Sequence, residues 1–178
     1  MRETADFRYT KRNEIIRFAC TFTLQPSLLT RAVSLFSELF EILPRVYDHR
    51  KRKFKYKFYS VEIESKSIFQ FIQKYLRWGI GRRCRTISLK HDPERYSRSF
   101  LYGFVRGLIE SDGRISHGQV GFTSVSPALV KNFQQALELL GYRFSVRCNQ
   151  DKRQNRASLY HVTIPSSQDF LERIRPIK

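Results

Sequence analysis

The feature that most constrains this chain is an internal repeat. Phe22-Thr23-Leu24-Gln25-Pro26-Ser27-Leu28-Leu29 returns as Phe122-Thr123-Ser124-Val125-Ser126-Pro127-Ala128-Leu129. Each copy reads as a strand that turns at its proline into a helix. Leu28 to Leu43 and Leu129 to Leu140 then place apolar residues at helical spacing. Farther on, Tyr59-Ser60-Val61-Glu62-Ile63-Glu64-Ser65 and Tyr160-His161-Val162-Thr163-Ile164-Pro165-Ser166 alternate as half-buried strands, each followed by a short apolar helix. The offset is 100 at the phenylalanines and 101 at the tyrosines. The chain is thus expected to build two like units.

Each copy also carries a basic hairpin between its helix and its tyrosine strand, over residues 45–58 and 143–158. In Lys53-Phe54-Lys55-Tyr56-Lys57-Phe58 the cations fall on one strand face and the rings on the other. A two-stranded ribbon of this kind fits the major groove of DNA. An exposed edge strand blunted with lysines is the alternative.

Charge narrows the function. Lys and Arg number 33 against 16 Asp and Glu, a net +17, which calls for a polyanionic partner, nucleic acid or an anionic membrane surface. The 41% hydrophobic and 14% aromatic content excludes a disordered basic tail. No apolar run approaches the ~18 residues of a membrane span, and no secretory signal is expected, so the chain reads as soluble and intracellular, organellar settings included. Cys20, Cys84 and Cys148 form no pair, and the four histidines are scattered, which argues against a zinc site or a disulfide framework.

Ahead of the second copy lies Ser99-Phe100-Leu101-Tyr102-Gly103-Phe104-Val105-Arg106-Gly107-Leu108-Ile109-Glu110-Ser111-Asp112-Gly113-Arg114-Ile115. It reads as a helix in which Gly103 and Gly107 allow a partner helix to approach closely, ending in an acidic cluster and a glycine suited to a cap. Here the chain resembles the LAGLIDADG homing-endonuclease family, whose nine-letter signature is matched by Val105 to Gly113. The order of elements after it resembles the family over nearly the whole chain.

The resemblance implies an α+β fold: a homing-endonuclease-like saddle of two pseudo-symmetric αββαββα units, the first lacking most of its leading helix. It divides the chain into a first repeat at 1–78, a basic linker at 79–98 and a second repeat at 99–178. It also implies Mg²⁺ as cofactor, held by acids at the ends of the two central helices. Asp112, with Asp6 standing in the corresponding place of the first copy, is the catalytic metal ligand, and Glu110 is a neighbouring acid. His161 is a candidate catalytic side chain. Met1 to Tyr9 matches only the tail of the motif, with Phe7 in place of the capping glycine. Three alternatives follow: a homodimer through the Ser99 to Ser111 helix, a complementing fragment at that helix, or loss of cleavage with binding retained.

The activity implied is Mg-dependent, site-specific cleavage of double-stranded DNA. The alternative is a catalytically inactive relative that binds structured RNA, as an intron maturase or a ribonucleoprotein component. Residues expected on nucleic acid are Arg50, Lys51, Arg52, Lys53, Lys55 and Lys57 of the first hairpin, Arg82 and Arg83 of the linker, and Arg147, Lys152, Arg153 and Arg156 of the second hairpin. Membrane is not expected as a partner.

Overall fold

The structure, a computed structural model, describes residues 4–6, 17–23, 26–48, 58–77, 85–116, 118–150, 157–165 and 168–174. It separates into two compact units, Met1–Lys74 and Tyr75–Lys178.

Unit 1 contains β1 (Thr4–Asp6), β2 (Arg17–Thr23), α1 (Pro26–Phe40), β3 (Arg45–Asp48), β4 (Phe58–Glu64) and α2 (Lys66–Tyr75), whose last residue begins unit 2. Its four strands form one antiparallel sheet in the order β1-β2-β4-β3. The alternation of the tyrosine strand is kept: Val61 and Ile63 are buried. Ile63 and Ile68 form a small core with Phe36, Phe40, Ile42 and Ile72 packed against it. Helix α1 runs into Glu41, a non-glycine residue at φ 55°, a left-handed conformation that costs such a residue about 1 kcal/mol.

Unit 2 opens with a two-residue pairing of β5 (Leu76–Arg77) and β6 (Ser88–Leu89). It continues as α3 (Arg98–Asp112), β7 (Gly113–Ser116), β8 (Gln119–Ser124), α4 (Pro127–Leu140), β9 (Ser145–Asn149), β10 (Leu159–Pro165) and α5 (Gln168–Ile174). From α3 onward this is the αββαββα order, and the sheet order β7-β8-β10-β9 repeats that of unit 1. Side chains one residue apart point to opposite sheet faces, and Val120, Phe122, Val162 and Ile164 fill the inner one. Phe133 and Leu137 of α4 and Phe170 and Ile174 of α5 meet them in one core.

Local chemistry sets the helix ends. Ser97 Oγ accepts from Phe100 N at 3.2 Å and starts α3. Ser126 Oγ accepts from Leu129 N at 3.2 Å while donating to Ile87 O at 2.7 Å, which starts α4 and ties it to the segment before α3. Helix α4 stops at Gly141, where φ is 84° and the backbone N–H reaches the Glu138 carbonyl.

Residues 85–98, within the stretch read as a connector, are packed structure in unit 2. Ser88, Leu89 and Pro93 are buried. The buried Asn132 side chain of α4 accepts from Leu89 N at 2.9 Å. Tyr96 stacks on Phe100 with centroids 4.4 Å apart, and Phe100 stacks on Tyr75 at 5.3 Å. These rings anchor the start of α3 to the chain that precedes it.

At the outer end of α3 a polar clasp joins three helices. Arg173 of α5 donates to Asp169 at 2.6 Å and to the Tyr102 hydroxyl of α3 at 3.4 Å. Tyr142, just past α4, reaches Asp169 at 3.5 Å. The hydrogen bond from Arg173 lowers the Tyr102 pKa. Burial, then the hydrogen bond with Tyr102, pushes the Tyr142 phenol up to about 12.

Candidate nucleic-acid interface

The inner face of the unit 2 sheet is apolar, so the alternating residues form a polar outer face. Gln119, Gly121 and Thr123 alternate with the buried Val120 and Phe122, and His161 and Thr163 with Val162 and Ile164. Strand pairing aligns these residues in rows. Thr123 faces His161, and His161 faces Arg147, across β8, β10 and β9. The Thr123 hydroxyl and His161 Nδ1 are hydrogen-bonded at 3.1 Å, which fixes the imidazole, and Arg147 is exposed beside it.

Gly113 pairs with Phe122, so Asp112, one residue earlier, stands at the β7 end of that same row. Two strand spacings, about 10 Å, separate it from His161. A neighbouring row runs Arg114, Gly121, Thr163, Ser145. The row of hydrogen-bonding side chains thus runs from an acid to the exposed Arg147, with the exposed Arg114 in the row beside it.

The acid is placed by α3. Leu101, Val105 and Ile109, four residues apart, are buried and fix the helix axis, which brings the exposed Asp112 to the sheet edge. Gly113 is extended, at φ −89°, and donates its N–H to the Ile109 carbonyl. Its lack of a side chain is required by space rather than by a left-handed cap. A Cβ there would fall 2.6 Å from Ile109 Cα and closer still to the carbonyl oxygen. Glu110 accepts from Arg106 Nε at 2.9 Å, one turn back on its own helix. Gly103 and Gly107 lie on the exposed side of α3, and a Cβ at either would meet no described atom within 4 Å.

In unit 1 the row equivalent to Asp112, Thr123, His161 and Arg147 is Thr4, Thr21, Ser60 and Tyr47. Asp6 lies two residues farther along β1, in a row with Ala19, Glu62 and Arg45, the place that Arg114 holds in unit 2. The slip arises because β2 pairs with β4 two residues out of step with the offset of the phenylalanine repeat. A shift of two keeps every residue on its face, so the sequence pattern does not show it.

A divalent metal such as Mg²⁺ takes several oxygen ligands. Among the described residues no three His, Cys, Asp or Glu side chains gather to hold one. Asp112 supplies one carboxylate, and that of Glu110 is engaged by Arg106. The described residues therefore do not compose a metal site on their own.

Of the expected nucleic-acid residues, the structure places Arg147 on the outer face. Arg50, Lys51, Arg52, Lys53, Lys55, Lys57, Arg82, Arg83, Lys152, Arg153 and Arg156 lie outside the described residues. The strands that carry the two hairpins are paired, β3 with β4 and β9 with β10. Thr123, Thr163 and Arg114 were not singled out from sequence. The polar-apolar alternation of β8 was the signal that could have found Thr123.

Comparison with known proteins agrees with this architecture. The family model described as a LAGLIDADG-like domain matches residues 99–177. The homing endonuclease I-DmoI, solved in complex with DNA and Mn, is similar at a TM-score of 0.61 and 16% identity, over 97% of this chain and 87% of that one. The N-terminal LAGLIDADG domain of DUF199/WhiA is similar at a TM-score of 0.56 and 12% identity, over 96% and 74%. Full-length DUF199/WhiA from Thermatoga maritima gives 0.55 and 13%, over 88% and 47%. No curated protein matches the sequence significantly. Among the described residues no helix is long and apolar enough to cross a membrane. Residues 99–177 thus match a LAGLIDADG-like domain, and over most of its length the chain has the fold seen in the homing endonuclease I-DmoI.

Proposed function

We propose that the chain binds nucleic acid, duplex DNA first, across the outer face of the β7–β10 sheet. The observation that carries this reading is the aligned row Thr123, His161, Arg147 with Arg114 beside it. It offers cations to phosphates and hydrogen-bonding groups to base edges, the two kinds of contact that position and specify a protein on DNA. The antiparallel ribbon β9–β10 has a shape the major groove admits. The net +17 supplies the long-range attraction, and I-DmoI, similar in fold, was solved with DNA.

Phosphodiester cleavage is a second reading, favoured by the exposed Asp112 at the end of the row. It requires carboxylates beyond the described set, so no catalytic step is assigned to Asp112 alone. The open Gly103–Gly107 side of α3 suits either a homodimer or a complementing fragment, which sedimentation with and without DNA distinguishes.

The test is a mobility-shift and cleavage assay with duplex DNA and structured RNA, in Mg²⁺ and in EDTA. Duplex binding is expected in both buffers and is retained by Asp112→Asn. Any Mg²⁺-dependent cleavage is lost in that variant. Preference for structured RNA over duplex would replace the DNA reading with the RNA-binding one.

A further inference from the structure

Gly121 lies within β8 on the polar outer face, and nothing among the described residues requires a glycine there. The register with β10 runs unbroken from Tyr160↔Ser124 to Pro165↔Gln119, and that with β7 from Gly113↔Phe122 to Ser116↔Gln119, so no bulge occupies the position. The described glycines at positive φ are Gly118 and Gly141, so Gly121 keeps ordinary strand backbone. No described neighbour needs the space either. A Cβ would meet only the carbonyl oxygens of Arg114 and Val162, both at 3.8 Å, an ordinary contact, and no side chain within 4 Å. A glycine inside a strand weakens it, and its usual reasons are a bulge, a tight bend or the close approach of another group. With the first two absent and no approach from within, an approach from outside the sheet is what remains.

The surroundings indicate what approaches. Arg114 and Thr163 stand beside Gly121 in its row, and Gln119 and Thr123 stand two residues along β8 on the same face. The glycine therefore floors a notch between longer side chains. Strand β8 lies between β7 and β10, so the ladders take the Gly121 N–H and C=O, and the notch offers clearance rather than a backbone donor. Its rim supplies the Gln119 amide and the Thr163 hydroxyl, groups that both donate and accept. Phosphate oxygens only accept, whereas base-pair edges in the major groove present donors and acceptors together. Unit 1 repeats the feature by register rather than by sequence. The 100-residue offset sets Gly121 against Thr21. The row equivalent to Arg114, Gly121, Thr163 and Ser145 is instead Asp6, Ala19, Glu62 and Arg45, whose β2 member is again a small residue.

We propose that Gly121 is a specificity-determining position of the nucleic-acid face: its bare Cα lets one base-pair edge of duplex DNA seat against the sheet, where Gln119 and Thr163 read it. The inference rests on the duplex-binding reading of this face and adds to it the point of closest approach.

The experiment selects duplexes from a random-sequence pool with the wild-type chain. It then measures the affinity of the wild type, Gly121→Ala and Gly121→Thr for a selected duplex by fluorescence anisotropy at several salt concentrations. Threonine favours strands and already stands at 123 and 163 on this face, so Gly121→Thr is expected to melt at or above the wild-type temperature. Its affinity is expected to fall roughly tenfold or more, and that of Gly121→Ala by less. The salt slope is expected to stay unchanged, because no phosphate contact is lost. Equal affinity of the wild type and Gly121→Thr would overturn the inference while duplex binding to this face stands. A pool that binds without enrichment of any sequence would do the same. A slope shallower by about 0.9 would put a phosphate in the notch and overturn the base-edge assignment. A lower melting temperature for Gly121→Ala would give the glycine a folding role and equally overturn it. A wild type that binds no duplex is a different result, since it removes the reading of the face on which the inference rests.

Discussion

Replacing Arg114 and Arg147 together by alanine is the most direct probe of the sheet face. Both are exposed, on β7 and β9 at opposite edges of the unit 2 sheet, so their removal leaves the core under the sheet intact. Each phosphate neutralised adds about 0.9 to the magnitude of the slope of log K against log salt for duplex DNA. If each arginine neutralises one phosphate, the double variant has a slope shallower by about 1.8. Between 50 and 200 mM salt, a fourfold change, the wild type then loses about 12-fold more affinity than the variant. Fluorescence-anisotropy titrations of a labelled duplex at four or five salt concentrations in that range measure both slopes. An unchanged slope, with the variant folded by circular dichroism, would refute the placement of nucleic acid on this face. A slope changed by half as much would leave one of the two arginines on a base edge or in solvent, and the single variants identify which.

Three further outcomes test the scaffold that presents the face. Gly113→Ala places a Cβ against the Ile109 backbone and is expected to destabilise unit 2 by roughly 1–3 kcal/mol in urea unfolding. Asn132→Leu leaves the buried Leu89 N–H without its acceptor and is expected to cost about 1–3 kcal/mol; a neutral result would mean that residues 85–98 are not packed on α4. The Tyr142 phenol, raised from 10.0 to about 12, keeps its proton longer in the folded chain than in the unfolded one. Its stabilising contribution is complete below pH 10 and is lost as pH rises toward 12. Tyr102, shifted downward, works in the opposite sense: its contribution is present above the ordinary phenol pKa and is lost as pH falls through the folded value. Phenolate absorbance should therefore show Tyr102 ionising before Tyr142, and the reverse order would contradict the clasp geometry.

The elements themselves were legible. Period-two alternation marked β4 and β10, and four-residue spacing marked α1, α3 and α4, because burial on one face leaves a pattern in the chain. The glycine after Asp112 was legible as a requirement but not in its cause, since a clash with Ile109 is a fact of tertiary placement whereas a cap is local. Residues 85–98 read as a connector because their charge and their glycine and proline neighbours resemble solvated chain. Their few apolar residues, Leu89, Pro93 and Tyr96, reveal a packed segment only once α4 and α3 are in place. The outer-face row was invisible as a set because its members come from three strands.

By itself the sequence determined that two like units are built, that each joins an antiparallel sheet to helices, and that α3 ends in an acid under a glycine. These follow from local periodicity and spacing, which one chain segment carries alone. Only the tertiary structure decided which residues share a row, and which residue of β1, Thr4 rather than Asp6, lies in the unit 1 row equivalent to that of Asp112. Both depend on pairings between segments far apart in the chain. A two-residue register shift changes the neighbours of a residue without changing the pattern in which it sits.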